Sequence, residues 1–147
     1  MANRIVLNET SYFGWGAREV LVDEIKRRGF KNALLVTDEK LIEVGVAGKV
    51  IDMLDNDNIR YQLFSDVKPN PTISNVKKGL KECKKHHCDY IIAVGGGSPI
   101  DAAKSVAILL ANEGKTARDL YEFKFTPEKA VPIVAINLTH GTGTETN

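Results

Sequence analysis

Three consecutive glycines followed by Ser98 form the part of this sequence that is best suited to binding a phosphate. Residues 94–101 lead from an apolar stretch through the glycines into a stretch of helical character. Because glycine has no Cβ atom, a phosphate can approach backbone N–H groups closely, and the positive end of a helix attracts it. The segment lacks the third glycine of a dinucleotide fingerprint and the lysine of a P-loop. A phosphate-binding loop and a tight structural turn are both open interpretations.

The residues after the glycines predict how the following helix begins. Ser98 is a suitable N-cap, Pro99 suits the first helical position, and Asp101 suits the acidic third position of a capping box. A carboxylate pointing toward a bound phosphate would repel it. We therefore expect Asp101 to serve the helix end.

Two further polar residues follow apolar runs that are typical of strands. Asp38 comes after residues 33–36, where a carboxylate can accept hydrogen bonds from adenosine ribose hydroxyls and repel a 2′-phosphate. Capping of the next helix is an equal alternative for Asp38. Asn70 stands between two prolines, which hold it in an extended conformation. It is a candidate cofactor contact, although a plain helix-entry turn explains the segment as well.

The last segment, residues 137–147, is dense in threonine and glycine and follows another apolar run. Hydroxyl groups and exposed backbone in this position suit hydrogen bonding to a dinucleotide. Thr139 and Thr142 are the candidates for these contacts.

Alternating strand-like and helix-like segments predict an α/β fold with a Rossmann-like parallel sheet flanked by helices. Such sheets bind ligands at the carboxyl ends of their strands, which is where the polar residues above stand. A helix beginning near Val20 is expected to stop at Gly29, and residues 11–16 are expected to form a turn. The predicted strands are 33–36, 60–64, 90–94 and 131–136, with a possible strand at 4–7, and the other predicted helices are 41–54, 72–87 and 99–111.

Composition favours a water-soluble enzyme or binding domain over other classes. The chain has 147 residues, a net charge of +1, 43% hydrophobic residues and 27% charged residues. This balance gives no reason to expect nucleic acid or a membrane as a partner, and a cytoplasmic location is expected. Cys83, His86, His87 and Cys88 crowd four possible metal ligands into one short stretch. A helix end preceding a strand is the better interpretation, so no metal site is expected there.

Taken together, the motifs resemble those of the iron-containing alcohol dehydrogenases. The similarity covers the whole chain and rests on Asp38, on Pro-Asn-Pro-Thr at 69–72, on the glycine loop at 95–101 and on the segment 141–145. The resemblance implies the fold of the N-terminal domain of this family, which is shared with dehydroquinate synthase-like proteins. It also implies NAD as cofactor, contacted by Asp38, Asn70, Gly96, Gly97, Ser98, Asp101, Thr139 and Thr142. Leu138 and His140 depart from the usual motif near the nicotinamide.

The resemblance further implies the reaction and the organisation of the whole protein. Hydride transfer between NAD(H) and a short-chain alcohol or aldehyde is expected, with 1,2-propanediol and lactaldehyde as the favoured pair and a homodimer possible. Residues 1–147 would be the nucleotide-binding domain, and the helical domain that binds Fe²⁺ would lie outside them. The chain alone is therefore expected to be inactive, with no catalytic residue of its own. One alternative is a stand-alone nucleotide-binding or regulatory module. Another is the glycerol dehydrogenase branch, which the segment 139–145 argues against.

Overall fold

The computed structural model describes residues 10–12, 20–68, 72–122 and 130–137. In this part of the chain, five parallel strands form one sheet in the order β1-β5-β4-β2-β3. The first described strand therefore pairs with the last described one, with Thr10 opposite Val134. The strands are β1 (Thr10–Tyr12), β2 (Asn32–Val36), β3 (Arg60–Phe64), β4 (Tyr90–Gly95) and β5 (Ile133–Asn137).

Helices connect the strands and cover both faces of the sheet, which confirms the predicted α/β class. The described helices are α1 (Leu21–Arg28), α2 (Glu39–Glu43), α3 (Val46–Asn56), α4 (Ile73–Lys85), α5 (Gly97–Ala111) and α6 (Ala117–Tyr121). Among the described residues, no helix combines the length and the apolar character needed to cross a lipid bilayer.

The core consists of two apolar layers because side chains alternate between the two faces of each strand. On β2, Leu34 and Val36 pack into the layer that α4 and α5 cover. Leu35, between them, packs into the layer that α1 and α3 cover. Every residue of β4 is buried, as expected of a central strand covered on both faces. The continuous apolar runs in the sequence have this physical origin.

Helix ends follow the sequence signals closely at two of the helices. Gly29 ends α1 in the left-handed conformation, with φ 69°, after three basic residues in the last turn. Thr72 and Asn75 form a capping box at the start of α4. The end of α1 confirms the prediction made from Gly29, whereas the capping box at Thr72 was not predicted.

Two predictions about the elements were wrong, and one helix was missed. Residues 41–54 form parts of two helices, because the chain turns at Gly45, whose φ of 84° is incompatible with a continuing helix. Ser11 and Tyr12 belong to β1 rather than to a turn. Helix α6 was not predicted at all. The possible strand at 4–7 lies outside the described residues.

Candidate functional site

The glycine loop makes a sharp passage from β4 into α5. Gly95 has a φ of 141°, a conformation that L side chains rarely adopt. A Cβ atom added there would lie 2.8 Å from Pro99 Cγ and 3.0 Å from Leu41 Cδ1. Glycine is therefore required at this position for both backbone conformation and space. The loop brings the end of the central strand directly against the start of a helix.

Helix α5 begins earlier than the sequence predicted, and its N-cap is Gly96 in an extended conformation. The predicted N-cap role of Ser98 is wrong, because Ser98 is already the second helical residue. Asp101 is the fifth, too far into the helix to close a capping box, so this prediction is also wrong. Among the residues that the structure describes, no side chain caps this helix. Pro99 is tolerated because the first turn of a helix needs no hydrogen bond from its nitrogen.

The first backbone N–H groups of α5 are consequently not occupied by a capping side chain from the described residues. The i to i−4 bonding of this helix begins with Ile100 N donating to Gly96 O at 3.4 Å. The N–H groups of Gly97 and Ser98 precede that bond and have no acceptor within the helix. Two adjacent donors at the positive end of a 15-residue helix are suited to an anion. This arrangement fits the pyrophosphate of a dinucleotide.

Asp38 lies at the carboxyl end of β2 and caps α2. Its Oδ1 atom accepts a hydrogen bond from Leu41 N at 2.8 Å. The preceding residue extends the sheet pairing, since Thr37 N donates to Phe64 O at 3.1 Å. The capping alternative for Asp38 is thus confirmed. The hydrogen bond from Leu41 N occupies the Oδ1 atom, so Oδ2 can still contact a ligand.

A crevice of about 400 Å³ lies at the carboxyl ends of β2, β3 and β4. It brings together Asp38 and Ser98, two of the residues that the sequence singled out. Several other lining residues were missed, although the rule that ligands bind after the strands would have found those following β3. The crevice is lined by Asp38, Glu39, Lys40, Ser65, Asp66, Val67, Lys68 and Ser98.

Charges of both signs surround this crevice. Lys78 Nζ lies 2.8 Å from Asp66 Oδ2, and this hydrogen bond holds the pKa of Asp66 below its ordinary value. Asp101 is exposed, and partial desolvation raises the pKa of its carboxyl group, against the opposing effect of the charge on Lys104. The crevice therefore contains an ionised Asp66 at neutral pH in addition to the carboxylate of Asp38.

Three candidate contacts, Asn70, Thr139 and Thr142, lie outside the described residues. The backbone leading to them is described in two places. Lys68 lines the crevice, two positions before Asn70. Asn137 pairs with Gly95 in the sheet, so the segment that carries both threonines starts beside the glycine loop.

No metal centre is formed in the described part of the chain. No group of three or more His, Cys, Asp or Glu side chains lies close enough together there to hold a metal ion. Cys83 and Cys88 are buried in the core layer beside α4, whereas His86 is more exposed. These described residues do not fit an iron site.

A comparison with protein-family models matches residues 8–147 to the iron-containing alcohol dehydrogenases. The chain belongs to the iron-containing alcohol dehydrogenase family. This result confirms the family resemblance that the four motifs indicated, and it gives a reason for the polar crevice at the carboxyl ends of the strands.

Curated members of the family are similar over almost the whole chain. Lactaldehyde reductase of Escherichia coli K12 is 46% identical over 146 residues, which make up 99% of this chain and 38% of that protein. A long-chain primary alcohol dehydrogenase of Thermoanaerobacter ethanolicus is 45% identical over 140 residues, 92% of this chain and 35% of the relative. The chain therefore spans little more than a third of the length of these relatives.

Two solved structures, of a butanol dehydrogenase and of a sulfoacetaldehyde reductase, share the fold. The NADH-dependent butanol dehydrogenase A of Thermotoga maritima superposes with a TM-score of 0.86 at 34% identity, covering 100% of this chain and 37% of that one. Sulfoacetaldehyde reductase of Bifidobacterium kashiwanohense, solved in complex with NAD⁺, gives 0.83 at 28% identity, covering 100% and 39%. Both are oxidoreductases.

Proposed function

We propose that this chain forms the NAD-binding domain of an enzyme that interconverts a short-chain alcohol and its aldehyde. The observation that carries the proposal is the uncapped start of α5, which opens at the same sheet edge as the crevice lined by Asp38 and Ser98. The cofactor, when bound, supplies the group that accepts or donates a hydride. The residues of this chain bind and orient it.

The pyrophosphate is proposed to lie against Gly96, Gly97 and Ser98. The N–H groups of Gly97 and Ser98 donate to its oxygens, and the Ser98 hydroxyl provides another polar group at the crevice wall. The absence of a Cβ atom at Gly96 and Gly97 allows close approach. Asp101, in the next turn of α5, is proposed to lie near the cofactor without contacting a phosphate, because two negative groups in contact would repel each other.

Asp38 is proposed to accept hydrogen bonds from the adenosine ribose through Oδ2, since Oδ1 already accepts from Leu41 N. A carboxylate at this place disfavours the 2′-phosphate of NADP. Glu39 and Asp66 line the same crevice and add to its negative charge. Lys40 and Lys68 also line it and partly offset that charge. The chain is therefore proposed to bind NAD in preference to NADP.

Asn70, Thr139 and Thr142 are proposed as further cofactor contacts on the basis of their positions after β3 and β5. The sheet order supports this for the threonines, because β5 is hydrogen-bonded directly to β4 and its last residue lies opposite Gly95. Their hydroxyl groups would complete the cofactor site on the side of β5, away from Asp38.

For the whole protein, 1,2-propanediol and lactaldehyde are the proposed substrate pair, because of the 46% identity to lactaldehyde reductase. Residues 1–147 are proposed to act as the nucleotide-binding domain, with the iron-binding domain outside them. The chain is then expected to lack dehydrogenase activity when it is assayed alone with Fe²⁺, NAD and propanediol. Turnover under these conditions would contradict this part of the proposal.

Calorimetric titration of the 147-residue chain with NAD and, separately, with NADP tests the cofactor proposal. Binding of NAD in the high-micromolar range, with NADP weaker, is the expected result. Binding of neither nucleotide would overturn the proposal for this chain. Tight binding of NAD would instead support an autonomous nucleotide-binding module. Asp38→Asn provides the matched variant, because an amide oxygen can still cap α2 while the charge is removed.

A further inference from the structure

The carboxyl end of α4 holds two cysteines in a defined relationship. Cys88 N donates to Cys83 O at 2.9 Å, and His87 N donates to Lys84 O at 3.4 Å. His87 adopts a left-handed conformation, with φ 55°. These bonds and this conformation constitute a Schellman motif, which terminates a helix by folding the chain back onto its last turn. The motif fixes Cys83 and Cys88 at its two contacting positions.

In a Schellman motif the side chains at these two positions commonly touch, usually as an apolar pair. Here the pair consists of two thiols. Cys83 Sγ lies 4.0 Å from Cys88 O, so the Cys83 side chain turns toward Cys88. Both cysteines are free, with Cys83 fully buried and Cys88 7% exposed. Both sulfur groups are therefore reduced, and Cys88 is the less deeply buried of the two residues.

We propose that Cys83 and Cys88 are a redox-active dithiol that a hydroperoxide converts into a reversible disulfide. Disulfides require Cα atoms about 4.4–6.8 Å apart and side chains that face each other. The Schellman motif provides a close backbone approach through its Cys88 to Cys83 hydrogen bond, and the Cys83 thiol, 4.0 Å from Cys88 O, faces Cys88. This inference is independent of the proposed function, because the pair lies at the end of β4 opposite to the glycine loop.

The reaction has two balanced steps. The Cys88 thiolate attacks one peroxide oxygen, so that an S–O bond forms, the O–O bond breaks and the leaving oxygen takes up a proton. The Cys83 sulfur then attacks the sulfur of the resulting sulfenic acid. The S–S bond forms as the S–O bond breaks, and the Cys83 proton leaves with the hydroxide as water. Two electrons pass from the two sulfurs to the peroxide.

The order of attack follows from the surroundings of the two thiols. The hydrogen bond with Cys83 lowers the pKa of Cys88, against desolvation and the charges of Asp89 and Glu82. The hydrogen bond with Cys88, together with burial, raises the pKa of Cys83. Cys88 is also the more exposed of the two. Cys88 is accordingly the attacking residue, and Cys83 resolves the intermediate.

Peptide mapping of the oxidised chain tests the disulfide directly. Trypsin cleaves after Lys81, Lys84, Lys85 and Lys104, so residues 82–84 and 86–104 become separate peptides unless a disulfide joins them. After treatment with hydrogen peroxide and alkylation of remaining thiols, we expect the joined pair in the non-reduced digest. The intact mass should fall by about two hydrogens, and dithiothreitol should reverse both changes.

The Cys83→Ala and Cys88→Ala variants serve as controls. The first should accumulate sulfenic or sulfinic acid on Cys88, and the second should resist peroxide. Wild-type protein whose disulfide has formed should melt roughly 4–8 °C higher than the reduced form, since the bond restricts the unfolded chain. The proposal is overturned if the wild type stays unreacted or gives separate peptides with over-oxidised Cys88. It is also overturned if it forms disulfides only between molecules. These three outcomes are all measured on the wild-type protein. The test therefore remains valid even if one of the variants fails to fold.

Discussion

Gly95 and Pro99 approach so closely that a Cβ atom on Gly95 would lie 2.8 Å from Pro99 Cγ. The contact joins the last residue of the central strand to the first turn of α5, and it is possible because Gly95 has a φ of 141°. The position of the uncapped N–H groups of α5 relative to the crevice therefore depends on one glycine.

Replacement of this glycine is expected to damage both stability and nucleotide binding. Gly95→Ala should reduce the free energy of unfolding by roughly 2–5 kcal/mol, from backbone strain and from overpacking against Pro99 and Leu41. Urea denaturation measures this loss. Gly48→Ala is the control, because a Cβ atom there meets nothing within 4 Å, and the helix should gain up to about 1 kcal/mol. Equal effects of the two substitutions would contradict the steric explanation.

The two roles assigned to Asp38 can be separated by substitution. Asp38→Ala should lower the free energy of unfolding by about 1 kcal/mol, because α2 loses its cap. Asp38→Asn should keep the cap and leave stability nearly unchanged, while NADP binding improves roughly five- to tenfold relative to NAD as one repulsive charge is removed. Unfolding curves and calorimetric titrations provide the two measurements.

Thr116→Ala is the matched control for a lost cap, since the Thr116 side chain accepts from Asp119 N at the start of α6, away from the crevice. It should reduce stability by a similar amount and leave the preference between NAD and NADP unchanged. If Asp38→Asn also left that preference unchanged, Asp38 would have no part in selecting the cofactor.

Removal of the buried Tyr90 hydroxyl is expected to stabilise the protein or leave its stability unchanged, whereas removal of a tyrosine hydroxyl that forms a hydrogen bond usually destabilises a protein. Tyr90 is fully buried and stacks on Phe30, and its hydroxyl finds no hydrogen-bond partner among the described residues. Tyr90→Phe should therefore leave the free energy of unfolding unchanged or raise it by up to about 1 kcal/mol, because an unpaired buried polar group is removed.

Tyr61→Phe is the comparison for this substitution. The hydroxyl of Tyr61 donates to Asp55 Oδ1 at 2.9 Å, so its removal should reduce stability by about 0.5–1.5 kcal/mol. Thermal denaturation of both variants distinguishes the cases. A loss at Tyr90 as large as that at Tyr61 would indicate that the Tyr90 hydroxyl does have a partner.

The ion pair between Lys78 and Asp66 predicts a pH dependence at the crevice. The pKa of Asp66 in the folded protein lies below its ordinary value of 3.8. The stabilisation from this pair is thus present above pH 3.8 and is lost as the pH falls through the folded-state pKa. In Lys78→Gln the Asp66 pKa should rise toward 3.8, as an NMR titration of the carboxyl group can measure.

Lys81→Gln removes another lysine from the same helix and serves as the control, since it should leave the titration of Asp66 close to that of the wild type. The difference in stability between wild type and Lys78→Gln should also narrow below pH 3.8. A difference that stayed constant down to acid pH would show that Lys78 acts through its aliphatic chain rather than its charge.

Elements with local sequence signals were predicted well. The strand at 60–64 has the predicted bounds, and α1 ends at Gly29 as its basic last turn indicated. In both cases the signal lies within a few neighbouring residues. The motif residues Asp38 and Ser98 were likewise brought to one crevice, because parallel strands place their carboxyl ends at one edge.

Two of the failures arose where contacts between separate elements decide the structure. Ser98 looked like an N-cap by composition, but the tight passage of Gly95 past Leu41 and Pro99 starts the helix at Gly97. Strand β1 gained its conformation from pairing with β5 rather than from its own residues. Neither relationship leaves a periodic signal in the sequence.

The pairing of Thr10 with Val134 also constrains the order of events during synthesis. The segment that becomes β1 leaves the ribosome before the other four described strands, yet β5, beside which it must lie, is the last of the five to emerge. The β1 segment therefore stays unpaired while the central strands assemble. Its docking is slow because the long stretch of chain between β1 and β5 must close into a loop. We therefore expect β1 to join the sheet last and, on heating, to detach first.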